Sequence, residues 1–329
     1  MAISRRRLQD CVTNRQQRPE AKSVNQLTGR DPDYLPAYLI EGQRFLAPTP
    51  SRGLYIVATP IGNLGDITIR ALQILAGCNR IACEDTRTTR RLLDRFGIET
   101  QMIAYHDHSA PAVRQRLIDR LNAGETIALV SDAGTPLLSD PGFKLVEDAI
   151  RAGHAVIPIP GPSSLTAALC ASGLPSDAFF FAGFLPTKTA ARKTRLRELA
   201  SIPATIIVLE SPKRLAASLA DMVAMLGGKR QAALCREMTK LHETFDRQSL
   251  AGLAAHYAGK TVKGEIVLVI SPGDQAAPAL SQEAIDALLA EALGRGGVRD
   301  AADRVAADTG LSRRSLYQRA LALERTLKA

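Results

Sequence analysis

From Gly53 onward the chain alternates short apolar runs with longer amphipathic ones. Leu54 to Ala58 has the continuous apolar character of a buried strand, and a helical spacing follows from about Thr68 to Ala76. The pattern repeats. Strands are predicted at Ile81–Glu84, Met102–Tyr105, Ile127–Val130 and Ala155–Ile159. Helices are predicted at Thr86–Phe96, Ala112–Ala123 and Phe143–Ala152, the last two stopped by Gly124 and Gly153. Strands that alternate with helices and lack a polar face imply a mainly parallel sheet covered on both sides.

Pro160-Gly161-Pro162 interrupts this order, and a helix from Ser164 to Ala171 leads into a second unit. Its predicted strands are Ala178–Gly183, Thr205–Leu209, Ala232–Cys235 and Glu265–Ile270, and its helices are Arg192–Leu199 and Lys213–Leu226. With fewer strand–helix repeats, its sheet is expected to be mixed. Gly273 to Ala279 has the composition of a linker. The tail from Ser281 is helical in pattern. Val298–Ala307, a turn at Asp308-Thr309-Gly310, and Ser312–Leu323 fit a helix-turn-helix, with Ser312 as N-cap. Residues 1–50 show no lasting periodicity and are expected to be a mostly disordered extension. Its acidic residues, among them Asp10 and Glu20, argue against a mitochondrial presequence. The expected division is 1–50, 51–162, 163–273 and 280–329.

With 46% hydrophobic residues in 329, the chain can build substantial cores. No apolar run approaches the roughly 18 residues that cross a bilayer, so a soluble, cytoplasmic protein without a membrane partner is expected. Five scattered cysteines without a C-x-x-C suit thiols of a reduced protein, and no metal site is expected. The net charge of +9 favours a polyanionic partner.

Candidate chemistry concentrates at the carboxyl ends of the predicted strands, where open parallel sheets bind ligands. Thr59-Pro60-Ile61-Gly62-Asn63-Leu64-Gly65-Asp66 is neither a G-x-G-x-x-G nor a Walker A loop. Dinucleotide hydride transfer and P-loop hydrolysis are therefore disfavoured. Ser131-Asp132-Ala133-Gly134-Thr135-Pro136, continuing to Ser139-Asp140-Pro141-Gly142, carries an Asp able to bond a ribose or amino group and a Gly that admits backbone contact. An Asx turn with a helix cap would use the same residues. Pro158 to Ser164 joins the two units and can line a cleft or serve as a hinge.

Taken in order, TPIGNLGD, CEDTRTTRRLL, YHDHS, LVSDAGTPLLSDPG, PIPGPSS, GFLP, CREMTKLHE and KGE resemble the tetrapyrrole-methylase-like superfamily from about Gly53 to Pro272. Within it they resemble the branch that 2′-O-methylates a cytidine of the 16S rRNA decoding centre. The helical tail resembles that branch too, whereas residues before Gly53 depart from its pattern. The resemblance implies a two-domain α/β tetrapyrrole-methylase-like fold, a homodimer, and S-adenosyl-L-methionine held folded in the cleft. By position, Asp132, Ala133, Gly134 and Thr135 would touch this cofactor and Ser163 and Ser164 would close over it. The loop with Pro60, Gly62, Asn63 and Gly65 would shape the acceptor side.

A ribose hydroxyl needs a positioned base or a cation beside the developing alkoxide. Candidates are His106 and His108 after a strand, Glu237, Lys240 and Glu243 in the second unit, and Lys263 and Glu265 at its last strand. The residues do not choose among these, and solvated loop histidines or a structural salt bridge would look the same. RNA contacts, to 16S rRNA in the small ribosomal subunit, are expected from three basic clusters. These are Arg87, Arg90 and Arg91; Lys188, Arg192, Lys193, Arg195 and Arg197; and Arg313, Arg314 and Arg319 with Tyr317. Two competing functions are a tetrapyrrole or other small-molecule acceptor on the same fold, and a non-enzymatic DNA-binding regulator using the tail.

Overall fold

The computed structural model describes residues 35–106, 110–273, 282–309 and 311–328. Expectations for residues 1–34, His108, the linker and Gly310 lie outside them, apart from Gly273. The chain divides into a body, up to Ser271, and a tail.

The body opens with a hairpin, β1 (Ala37–Ile40) and β2 (Gln43–Leu46). This corrects the expectation of disorder up to residue 50. The two-residue Glu41-Gly42 turn has positive φ at both positions, as a tight antiparallel turn requires. Tyr38 enters the core at 4% exposure, and the Leu39 N–H donates to Phe96 O at 2.7 Å. One buried aromatic ring therefore fixes a segment whose polar composition masked it.

The first sheet is wholly parallel. Its strands are β3 (Gly53–Val57), β4 (Arg80–Cys83), β5 (Met102–Ala104), β6 (Thr126–Val130) and β7 (Val156–Ile159), in the order β5-β4-β6-β3-β7. Helices α1 (Ile69–Gly77) and α2 (Thr86–Arg95) bury Leu72, Leu75 and Leu93 on one face, against Tyr55 and Val57. Helices α3 (Pro111–Asn122) and α4 (Phe143–Arg151) bury Leu117 and Leu145 on the other, against Leu54 and Leu129. The chain thus leaves neighbouring strands β3 and β6 toward opposite faces. That divergence opens a crevice beyond their carboxyl ends.

Helix α5 (Ser164–Ser172) packs Leu165, Ala168 and Leu169 on the second sheet. This sheet has the order β11-β10-β12-β9-β8, from β8 (Phe179–Phe184), β9 (Thr205–Glu210), β10 (Gln231–Arg236), β11 (Thr244–Ser249) and β12 (Ile266–Ile270). Only β8 and β9 pair in parallel, so the sheet is mixed, as expected. Helices α6 (Thr189–Ala200), α7 (Leu215–Leu226) and α8 (Leu250–Tyr257) cover its far face.

Arg192 on α6 is not on the surface expected to meet RNA. It is 3% exposed and pairs with Asp221 of α7, Nε to Oδ2 at 2.8 Å, while another guanidinium nitrogen donates to Thr187 O at 3.2 Å. Its neighbour Lys193 lies 3.6 Å from the same carboxylate. A basic run at helical spacing must turn one member inward, and Asp221 makes that burial tolerable.

In the tail, α9 (Gln282–Leu293), α10 (Val298–Thr309) and α11 (Arg313–Lys328) share a small core of Leu289, Ala301, Ala302, Val305, Leu316 and Ala320. Arg319 donates to Asp286 at 2.8 Å and Arg313 to Asp303 at 2.9 Å, tying α11 to both other helices.

Removing one partner of a buried ion pair strands the other charge. Arg192→Ala should therefore destabilise the body by about 3 to 5 kcal/mol in urea unfolding. A loss below about 1 kcal/mol, in the range of an exposed pair, would return Arg192 to the surface.

Candidate functional site

The crevice is closed by backbone. Thr59 after β3 and Gly134 after β6 exchange N–H···O bonds of 2.9 Å in both directions. The Thr59 hydroxyl donates to Ser131 O at 3.3 Å and the Thr135 hydroxyl to Pro162 O at 3.1 Å. Three loops from distant parts of the chain are thereby joined. Gly134 sits at φ +81, and a Cβ there would lie 3.3 Å from Ile61 Cγ2. Leu137 and Ser139, with φ of 77 and 67, hold a left-handed backbone without being glycine. Such strain persists only where surroundings impose it.

The second domain supplies the opposite wall through residues 237–243, which connect β10 to β11. Lys240 Nζ lies 3.0 Å from Glu237 Oε1 and 3.2 Å from Glu265 Oε2. Glu237 Oε1 also accepts the Glu265 N–H at 2.9 Å. The first-domain loop rests on this group. A Cβ on Gly62 would fall 2.4 Å from Lys240 Cγ, so any side chain there would force the lysine or the loop to shift, and the Asn63 N–H donates to the Thr239 hydroxyl at 3.1 Å. Between the walls is a cavity of about 400 Å³, lined among others by Ile61, Ala133, Asp140, Ser164, Leu209 and Met238. Ile61 also borders a second, more open groove of about 420 Å³ with Asp66, Gly161, Ser163, Thr166 and Thr239.

Residues 53–254 match the family of Tetrapyrrole (Corrin/Porphyrin) Methylases, and residues 279–324 match the RsmI C-terminal HTH domain. The Ribosomal RNA small subunit methyltransferase I of Mesorhizobium japonicum is 53% identical over 274 residues, covering 83% of this chain and 92% of that protein. The chain belongs to the tetrapyrrole methylase family. A protein of the same name from a Synechocystis species is 48% identical over 275 residues, covering 82% of this chain and 98% of its own. Diphthine synthase, a solved structure 16% identical, superposes with a TM-score of 0.53 over 66% of this chain and 89% of that one. The last comparison speaks to the fold alone.

The methylase fold brings some expected residues together and separates others. Ala133, Ser164 and Glu265 line the cavity, whereas Ser163 faces the groove. Asp132 is not among the cavity's lining residues and accepts the Asp85 N–H at 3.1 Å. Asn63 spends its side chain on the Gly65 N–H at 2.9 Å, capping the short turn Leu64–Asp66, and Pro60 precedes it, partly buried. His106 is exposed at the end of edge strand β5 and is not among the cavity's lining residues, which removes the observation that recommended it. Glu243 accepts the Thr239 N–H at 2.7 Å and braces the turn. The exposed Lys263 contributes its carbonyl to Arg236. Sequence reasoning missed Leu138, Asp140, Phe184, Leu209, Ser211 and Met238 as lining residues. Leu138, Asp140, Phe184 and Met238 lie within the resembling motifs, but the apolar ones carry no chemical signal of their own.

The basic clusters thin out. Arg87 is engaged by Asp85, which caps α2, and Arg90 approaches Asp94 at 3.8 Å. Arg195 pairs with Glu198. Arg91, Lys188, Arg197, Arg314 and Tyr317 remain exposed. The surface pair of Arg313 with Asp303 contributes little to stability.

Titration separates the polar groups. Burial raises the Asp140 carboxyl, opposed by a hydrogen bond from Ser131 and assisted by nearby Asp132. Burial also pushes the Cys235 thiol up to about 11, unlike an activated nucleophile. Glu237 is lowered, first by the Glu265 N–H and then by Lys240. For Lys240, partial burial opposes the charge, but Glu237 and Glu265 together outweigh it and hold the ammonium above its ordinary 10.5. The lysine is therefore a standing cation. The lowered Glu237 stabilises above its unfolded value of about 4.3 and loses that contribution as pH falls through the folded value. The raised Lys240 stabilises below 10.5 and loses its contribution as pH rises through the folded value. The stability difference between wild type and Lys240→Met should therefore be flat from about pH 5 to 9 and shrink below about pH 4. A difference that instead grows on acidification would mean the triad is not ionised as described.

Proposed function

We propose that the chain transfers a methyl group from S-adenosyl-L-methionine to the ribose 2′-hydroxyl of a decoding-centre cytidine in 16S rRNA of the small ribosomal subunit. The observation that carries this is a cavity lined from three loop motifs, in a chain 53% identical to a Ribosomal RNA small subunit methyltransferase I. A homodimer and a cytoplasmic site of action belong to the same proposal and rest on the family resemblance. No helix among the described residues is long and apolar enough to cross a membrane.

The residues present fit the cofactor. A cavity of about 400 Å³ suits a small molecule. Its walls offer the apolar Leu209, Phe184 and Met238, the hydroxyls of Ser139, Ser164 and Ser211, and the carboxylates of Asp140 and Glu265. Carboxylates complement a ligand bearing an ammonium and a sulfonium. When bound, the cofactor supplies a methyl group on an already activated leaving group.

What remains for the protein is positioning and the fate of one proton. Asp140, its carboxyl raised by burial, belongs to the cavity wall and so to the cofactor's side. Lys240 places a fixed positive charge at the cleft without serving as a base, since it holds its own proton. The groove beyond Ile61, next to the Gly62–Asp66 loop, takes the acceptor nucleoside. Within the three basic clusters, Arg91, Lys188, Arg197 and Arg314 are exposed cations that can meet phosphates.

The deciding experiment is transfer of labelled methyl from S-adenosylmethionine to small subunits lacking this modification, with mapping of the product. Label on the 2′-oxygen of one decoding-centre cytidine is expected. No label on subunits or naked 16S RNA, despite proven cofactor binding, would move the acceptor to a small molecule. Gly134→Val places a β-branched residue at φ +81 against Ile61. It should weaken cofactor binding by about a hundred-fold or more in calorimetry. Unchanged affinity would locate the cofactor elsewhere.

A further inference from the structure

Leu241 is the most exposed large hydrophobic side chain among the described residues, at 92%. It stands at the apex of residues 237–243, whose base is anything but loose. Met238 is buried in the cavity wall and Thr239 borders the groove. Glu237 and Thr239 hold left-handed backbones, with φ of 53 and 65. The Lys240 N–H donates to Glu237 O at 3.0 Å and the Glu243 N–H to Lys240 O at 3.1 Å. A turn that merely joined two strands would need neither the strain nor an apolar tip.

We propose that Leu241 is a wedge that inserts between stacked nucleotides beside the target and helps splay the acceptor into the groove. The inference rests on the RNA-methylation proposal above. Its chemistry favours RNA over a protein partner. Stable protein interfaces bury an extended apolar patch. Here the leucine is followed in sequence by exposed His242, Glu243 and Thr244 and not by further apolar residues. A single rigid apolar finger is the form that enters a base step and unstacks it. Stacking in folded RNA restricts access to a single ribose, and opening one base step beside the target relieves that restriction. Thr239, two residues from Leu241, borders the groove, and two residues of chain reach at most about 7 Å, which keeps the wedge near it. Rigidity matters because a flexible tip would yield before the stack did.

The test compares wild type, Leu241→Ala and Leu241→Met in methyl transfer to small subunits lacking the modification, with cofactor affinity by calorimetry and mass by sedimentation. Leu241→Ala should keep cofactor affinity and mass and lose about ten-fold or more in kcat, with KM within about two-fold. Leu241→Met should restore most of the rate. Transfer by Leu241→Ala at the wild-type rate overturns the wedge. So does a loss accompanied by a fall in mass, which would assign the apex to contact with a second copy. Wild type that binds cofactor but labels no subunit overturns the RNA proposal itself, a result distinct from either.

Discussion

The body depends on one close approach, that of the Gly62 backbone to the Lys240 side chain. A Cβ at Gly62 would sit 2.4 Å from Lys240 Cγ and 2.9 Å from Cε, so any side chain there would force the lysine or the loop to shift. The contact does more than pack. It sets the loop against a lysine already clamped by Glu237 and Glu265, and it brings Asn63 to Thr239. The cavity between the domains keeps its width because both walls are registered by this contact and by the bridge between Thr59 and Gly134. Polar bonds shield Lys240, while Gly62 covers its aliphatic stem, so a charge survives in a partly dehydrated place.

Much of this organisation is legible in the chain. Period-two and continuous apolar runs give the strands, glycine stops give the helix ends, and the change from strict alternation to fewer repeats marks the mixed second sheet. The chemistry-bearing loops are visible because Gly, Pro, Ser and Asp cluster where strands end. What escapes is whatever depends on a partner distant in sequence. Arg192 has the same helical spacing as its exposed neighbours; only Asp221, 29 residues away, explains its burial. Tyr38 is one aromatic ring in a polar segment, and its strand exists because α1 and α2 offer a core to fill. His106 follows a strand as the cavity-lining loops do, yet that strand lies at the sheet edge, a fact of strand order and not of local pattern.

The basic clusters teach a related lesson about charge. Counting arginines gives a potential partner surface, but many of them are already matched. Arg87 serves the cap of α2, Arg313 and Arg319 stitch the tail, and Arg192 staples α6 to α7. Each pair neutralises locally while leaving the net charge of +9 unchanged. Long-range attraction toward a polyanion therefore survives, since it follows the sum of charges. Contact specificity rests on the smaller set still exposed.

Strain follows the same division between scaffold and site. Among the described residues, five non-glycine positions have positive φ: Glu41, Leu137, Ser139, Glu237 and Thr239. Glu41 belongs to a hairpin turn, where that conformation is the geometry of the turn itself. The other four fall in the two loops that face each other across the cavity. Unfavourable backbone there can persist only because the Thr59–Gly134 bridge on one side and the Lys240 clamp on the other over-determine it. The consequence is a site whose side chains are placed before any ligand arrives. For a reaction whose group donor is already activated, such placement is the larger part of what a protein can contribute.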